Sequence, residues 1–256
     1  MGQTQQRARV YIDGFNFYYA AFVEGDFGRY KWLDLVAFSE CLVPRMRVDH
    51  VRYFTAQVKP KPSDPDAHIR QGIYLNALKT LPRLSVHLGS FSKHPVTMPL
   101  APPPSHGREA GVVYREEPEA GSAEEQPPDR AWVYKFEEKG SDVNLATFLL
   151  RDGFKGFYDV AVVVSDDSDL LEPVKMVRQE LNRQVIVARV PRYSRTEGKK
   201  QVRASVFEGK VDFIRDVRRA HLADSQLPVT IKPKGGGRLI ERPSAWGPPA
   251  RSRADL

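Results

Sequence analysis

Residues 158–177 read YDVAVVVSDDSDLLEPVKMV. The segment Asp159 to Ser165 holds four valines among seven residues. A short run that is apolar throughout belongs to a strand covered on both faces, the situation of a parallel sheet between two helical layers. The serine and aspartates that follow open a stretch with apolar residues at helical spacing, so a helix begins directly after the turn. In an open parallel sheet the carboxyl ends of the strands form the edge at which binding crevices arise, and the SDDSD run, Ser165 to Asp169, sits at such an end.

Working outward, the same grammar recurs. RVYID, Arg9 to Asp13, is a second buried strand that ends in an acid and a turn at Asp13-Gly14. FNFYYAAFVE and WLDLVAFSECLV have helical spacing, DHVRYFTAQV returns to strand formers, and SDPDAHIRQGIYLNALKT reads as a helix with Pro65 in its first turn. LSVHLGSF and AWVYKFEE are strands, GSDVNLATFLLRDGF is a helix capped by Ser141, and RQVIVARV is the last strand. Strands that alternate with helices define an α/β fold with a parallel sheet.

Between Lys93 and Arg130 the pattern dissolves into Pro, Gly and Glu, with at most a short strand at Gly111 to Tyr114; this reads as a mobile insertion inside one domain. The expected organisation is an N-terminal arm over 1–8, a domain over 9–222 interrupted by the insertion at 93–130, and a basic, Pro/Gly-rich tail over 223–256. VPRYSRTEGKKQVRAS reads as a basic loop, and Val211, Ile214 and Val217 fall at helical spacing.

Composition narrows the function. The 256 residues carry 39 Lys+Arg and 32 Asp+Glu, and 16 basic against 7 acidic residues lie from Arg189 onward. The positive excess therefore belongs to the C-terminal quarter and suits a polyanionic partner or a solvated tail. No run approaches the length of a membrane span and the N-terminus lacks a secretory apolar stretch, so no membrane partner and a cytoplasmic location are expected. The single cysteine, Cys41, excludes an internal disulfide and reads as a small buried hydrophobe. GxxxxGK[ST], GxGxxG after the first strand, HExxH and CxxC are all missing, which disfavours triphosphate, dinucleotide and zinc-hydrolase chemistry.

What remains is carboxylates. Asp13, Asp167 and Asp169 share the strand-end edge, and Asp142 in the first turn of the helix from Ser141 is carried to it from another strand. Clustered carboxylates repel unless a cation lies among them, and Mg²⁺ or Mn²⁺ is the natural hard ion for oxygen donors. Such a site suits phosphodiester hydrolysis, with Asn16 placed to orient a carboxylate or a metal-bound water. Taken singly, Asp169 and Asp142 could serve only as helix caps or dipole partners; Asp13 has no obvious capping duty.

YIDGFNFYY, EEKGSDVNLATFLL and YDVAVVVSDDSDLLEPVKMV, in this order, resemble the NYN domain, in its LabA-like branch of the PIN-like nuclease superfamily, from about Arg9 to Val190. The resemblance implies a three-layer α/β/α sandwich with a mostly parallel central sheet and a Mg²⁺-dependent endoribonuclease. It places the metal-site acids at Asp13, Asp142, Asp167 and Asp169, with Asn16 matching the asparagine after the first acid. Asp166 stands where the family commonly has glycine, and could join the cluster or point away.

The aromatic run Phe15, Phe17, Tyr18, Tyr19 and Phe22 could stack bases or form helix core. Arg192, Arg195, Lys199, Lys200 and Arg203 are candidates for phosphate contacts. The expected function is hydrolysis of single-stranded RNA, with DNA as a second polymer; the alternative is a nucleic-acid-binding regulatory protein with the same fold and little or no turnover. A small-molecule phosphatase is weaker, since DxDx[TV] is absent after the first strand. Oligomeric state, a homodimer included, is open at this stage.

Overall fold

The computed structural model describes residues 5–60, 63–99, 130–191, 193–196, 199–202 and 204–247. Its centre is a six-stranded sheet in the order β10-β7-β6-β1-β2-β3, all of whose pairings are parallel. β1 (Arg7–Asp13) leads into α1 (Gly14–Tyr18), which continues as one wider π turn over Tyr19–Val23; α2 (Leu35–Leu42) and β2 (Arg47–Thr55) follow. α3 (Ala67–Leu78) and β3 (Leu84–Leu88) complete one side of the sheet. After β4 (Ser90–Pro99) and β5 (Arg130–Lys139), α4 (Ser141–Phe154), β6 (Val160–Val164), α5 (Leu171–Gln179) and β7 (Gln184–Arg189) build the other side.

The valine-rich strand is as buried as its composition demands: every residue of β6 is at most 1% exposed. Each such Val is worth about 1.5–3 kcal/mol relative to leaving it in water. The period of two along β1 sends Val10 and Ile12 to one face, where they pack with Phe17, Phe38, Leu75 and Leu78 of α1, α2 and α3. Tyr11 goes to the other face, with Leu145 and Leu149 of α4 and Val174 and Val177 of α5. The result is the three-layer α/β/α sandwich with a parallel central sheet.

Several local readings are corrected. The helix expected to hold Pro65 in its first turn begins two residues after it, at Ala67, and the Asp64 carboxylate pairs with Arg70 Nη2. Part of the expected loop at Lys93 onward is strand β4, which pairs with β5 in a two-stranded sheet; residues 92–137 form a compact unit of their own. The expected strand at Gly111 to Tyr114 lies outside the described residues. The basic loop after β7 contains a hairpin, β8 (Tyr193–Thr196) against β9 (Lys199–Val202).

Val211, Ile214 and Val217 do not form a helix. β10 (Phe213–Asp216) extends the parallel sheet beside β7, and pairing to an existing edge overrides a helical spacing spread over only seven residues. After α6 (Arg219–Ala223), the segment expected as tail is built into the fold through residue 247. Leu227 N donates to Trp32 O and is 4% exposed at its side chain; β11 (Thr230–Ile231) pairs with β12 (Ile240–Glu241); and the Trp246 ring lies 5.7 Å from that of Tyr74 and 6.4 Å from that of Trp32. A few apolar anchors suffice where a core already exists to receive them. No helix among the described residues is long and apolar enough to cross a membrane.

At the end of α4 farthest from the acids, Asp152 is fully buried and takes hydrogen bonds from Arg52 Nε (2.8 Å), Tyr11 Oη (3.0 Å) and Arg9 Nη1 (3.1 Å). Burial alone would raise its pKa, but these partners outweigh burial and hold it below the usual carboxylate value. The group therefore contributes stability at neutral pH that is lost as pH falls through its depressed folded pKa. Asp152→Ala leaves two guanidinium groups without their buried partner and should cost about 3–5 kcal/mol, read from urea unfolding at pH 7. The difference between wild type and variant should shrink below about pH 4, where the unfolded carboxyl also takes up its proton.

Candidate metal centre

The sheet reverses its direction of growth at β1. β2 and β3 lie on one side of it and β6, β7 and β10 on the other, so connections leave the carboxyl ends of β1 and β6 in opposite directions and open a crevice there. Ile12 is paired with Val164, and the next residues on the two strands are Asp13 and Ser165. Close approaches shape the floor of this crevice. A Cβ on Gly14 would lie 2.6 Å from Phe54 O, and one on Gly89 would lie 2.6 Å from both Glu138 Oε1 and Lys139 O. Only glycine allows α1 to start against β2 and the start of α4 to reach the sheet edge beyond β3.

Asp13, 3% exposed, receives Ser165 Oγ–H on Oδ2 (2.9 Å) and the Asn16 N–H on Oδ1 (3.0 Å). The same Ser165 Oγ accepts the Asp167 N–H at 3.1 Å, and Asp167 Oδ1 accepts the Asp169 N–H at 3.1 Å. One carboxylate oxygen from each of Asp13, Asp142 and Asp167 lies within 4.8 Å of the others. Three segments that are distant in sequence thus converge on one point.

The electrostatics of this point are unfavourable without a cation. Burial, helped by Asp142 and Asp167 and opposed by the two hydrogen bonds, pushes the Asp13 carboxyl up to about 6. Burial and then the charges of Asp167, Glu138 and Asp169 push Asp142 up as well. Oxygen donors on a rigid floor, two of which, Asp13 and Asp142, hold a proton more tightly than a free carboxyl, fit a hard divalent ion such as Mg²⁺ or Mn²⁺.

The expected site residues differ in their placement. Asp13, Asp142 and Asp167 come together. Asp169 is exposed on the turn Ser168–Leu170, outside the group of three but close enough to act on Asp142. Asn16 is a tether: its Oδ1 accepts the Asp166 N–H at 3.2 Å, which joins the turn after β1 to the turn after β6. The Asp166 carboxylate points away and accepts the Ser205 hydroxyl, so of the two outcomes weighed for it the second holds.

Helix capping is also redistributed. Asp13 does cap α1, contrary to the expectation that it had no such duty, and Asp167 caps the turn before α5 in place of Asp169. Ser141 does not cap α4: Gly140 holds that position, Ser141 N donates to Glu138 Oε1, and Ser141 Oγ is buried without a hydrogen-bond partner. Of the basic candidates, Arg195 is on β8 opposite Lys200 on β9, with Lys199 beside it, while Arg192 and Arg203 lie outside the described residues.

Comparison with known proteins gives a curated relative of different description. No family model matches the chain. It is similar to 6-hydroxy-3-succinoylpyridine 3-monooxygenase HspA of Pseudomonas putida, 31% identical over 191 residues that cover 67% of this chain and 55% of that protein. The chain thus spans about half the length of that relative. Among solved structures it is similar to a protein of unknown function from Vibrio parahaemolyticus, with a TM-score of 0.48 and 16% identity over 89% of this chain and 99% of that one.

Sequence reasoning passed over three supporting residues. Ser165 stands inside the quoted SDDSD run, and its place just after a buried strand was the available signal. Glu138, four residues before Asp142, is legible in EEKGSD as a further acid. Ser205 carries no signal, because only the folded chain brings it to Asp166, 39 positions away.

If these carboxylates hold an ion, adding Mg²⁺ or Mn²⁺ above Kd raises the melting temperature of the wild type with the logarithm of ion concentration, by the equivalent of about 2.7 kcal/mol at a hundred times Kd. Asp142→Asn removes one ligand and its charge from a half-buried position, and the shift should be lost. An equal shift in the variant would exclude the site.

Proposed function

We propose that this chain is a metal-dependent endoribonuclease of the NYN, LabA-like type that hydrolyses phosphodiester bonds of single-stranded RNA in the cytoplasm. The observation that carries the reading is the convergence of Asp13, Asp142 and Asp167 within 4.8 Å at the point where the sheet reverses. Asp13, Asp142 and Asp167 would hold the ion. When bound, Mg²⁺ or Mn²⁺ supplies charge neutralisation at the phosphate and a water of lowered pKa.

The chain's own contribution is rigidity and charge placement. Ser165 and the Asn16 N–H fix both oxygens of Asp13, so its free lone pairs face the cluster rather than rotate. The Asp169 N–H fixes one oxygen of Asp167 and leaves the other for the cluster. Asp169 at the exposed rim adds negative charge that raises the affinity for a cation. Arg192, Arg195, Lys199, Lys200 and Arg203, in the basic segment that follows β7 in the sequence, would supply cations for phosphates beyond the cleaved one.

A second reading comes from the relative. Its name gives it a monooxygenase activity on 6-hydroxy-3-succinoylpyridine. Similarity at 31% identity favours a trial of that reaction here, although the matched segment is about half of that protein. Its assay is oxygen uptake with that compound and a supplied two-electron reductant.

The decisive experiment for the nuclease is incubation of end-labelled single-stranded RNA, and of matched DNA, with the protein in Mg²⁺, Mn²⁺ or EDTA. Cleavage should require the ion and fall by at least about a hundredfold in Asp142→Asn and in Asp167→Asn, with unchanged circular dichroism. Full activity in both variants would reject the site. RNA binding without cleavage under every condition would favour the regulatory alternative, and oxygen uptake without cleavage would favour the oxygenase.

A further inference from the structure

Beside the acid cluster, on the opposite side of Gly14, lies a cavity of about 320 Å³ between the π turn, the end of β2 and the start of α3. That volume is at the small end of ligand sites, which run from roughly 300 to 1,000 Å³. Its walls are aromatic to an unusual degree: Tyr18, Tyr19, Phe22, Tyr53, Tyr74 and Trp246 all line it. Of the run that could be base-stacking or core, Phe17 is 4% exposed and packs on Phe38 at 5.2 Å, whereas Tyr19 is 42% exposed. The run is divided between the two roles.

The charged groups on the wall have one sign in excess. Among the described residues, Lys31, Lys59 and Arg70 line the cavity together with a single carboxylate, Asp64, which Arg70 already engages. Lys31 Nζ lies over the Tyr18 ring, 5.4 Å from its centre, so the ring holds this cation at the cavity wall. The wall is held firm by Gln71, which accepts the Val58 N–H and donates to Ala56 O and so fixes the chain leaving β2 onto α3.

Tyr53 links the cavity to the acids. It lines the cavity, its ring would lie 2.8 Å from a Cβ on Gly14, and burial, with a smaller contribution from the charge of Asp13, pushes its hydroxyl pKa up to about 12. Faces for stacking, cations for an anion and a floor shared with the candidate metal centre define a ligand by its chemistry: a flat heteroaromatic ring that carries an anionic group.

We propose that this cavity is a base-binding subsite, which takes the base of one nucleotide with its phosphate toward the lysines, beside the bond to be cut. The proposal rests on the nuclease reading for its biological use, but not for the binding itself. Because the cavity admits one unstacked ring system, it would select single strands, whose bases can be turned out of the stack. A free heteroaromatic acid presents the same chemistry from another source.

The test uses the full chain in EDTA, with calorimetry against AMP, UMP, the corresponding nucleosides, inorganic phosphate and nicotinate. The nucleotides should bind, and the nucleosides and phosphate alone should each bind at least about tenfold more weakly, since ring and anion are held by different walls. Ala67→Trp, at the first residue of α3 on the cavity wall, should abolish binding while leaving the melting temperature and its metal-induced shift unchanged. Lys31→Ala should weaken nucleotides about tenfold and nucleosides little.

Nucleotide binding that Ala67→Trp does not alter, or no binding of any probe, would overturn the proposal; tighter binding of nicotinate than of either nucleotide would overturn the nucleotide assignment in favour of the free acid. Metal-dependent RNA cleavage without nucleotide binding would remove this inference alone. Nucleotide binding lost in Ala67→Trp, without cleavage in any metal, would remove the nuclease reading and leave the cavity assignment standing.

Discussion

A carboxylate at the end of a buried strand must be held by donors, and Asp13 is held from two directions of the chain at once. The Asn16 N–H comes from the turn it caps, and the Ser165 hydroxyl comes from a strand 152 residues away. That second bond exists because β1 and β6 are parallel neighbours in a register that ends with Asp13 beside Ser165. Ser165 also fixes Asp167, and Asn16 fixes the turn at Asp166, so the two strand ends act as a single rigid edge. The third acid, Asp142, is delivered by α4, whose start packs against Gly89 just beyond β3.

This edge separates two kinds of surface. On one side stand carboxylates whose repulsion asks for a cation; on the other, aromatic rings and lysines that ask for a flat anion. Gly14 is the partition, and it tolerates no side chain because Phe54 O and the Tyr53 ring lie within 3 Å of where a Cβ would be. A nucleotide with its base against the tyrosines and its phosphate toward the lysines would leave the adjoining phosphodiester of its strand beside the candidate metal centre. At the far end of α4, the Asp152 network with Arg9 and Tyr11 of β1 and Arg52 of β2 ties the helix to the sheet by buried charge rather than by capping.

The legible part of the sequence was the part in which local pattern and tertiary environment agree. β6 reads as a buried strand because four of its five residues are valine, and it is buried in full. Asp13 and Asp167 read as site residues because strand ends in a parallel sheet share an edge. The misread segments are those where pattern is weak and a preformed surface decides. Phe213–Asp216 became a strand because β7 offered an unpaired edge, and Trp246 became part of the fold because Trp32 and Tyr74 offered aromatic faces.

The sequence by itself determined the α/β class, five of the six strands of the central sheet and the candidacy of Asp13, Asp142 and Asp167, since periodicity and strand-end acids are properties of neighbouring residues. Only the tertiary structure decided which acids meet, that Asp169 stays at the rim, that Asp166 turns to Ser205 and that an aromatic cavity shares its floor with the cluster. Side-chain direction at a turn depends on the hydrogen bonds available around it, and those partners lie tens to more than a hundred residues away in the chain. Pattern specifies which edge a residue occupies; packing and donor placement specify what it faces there.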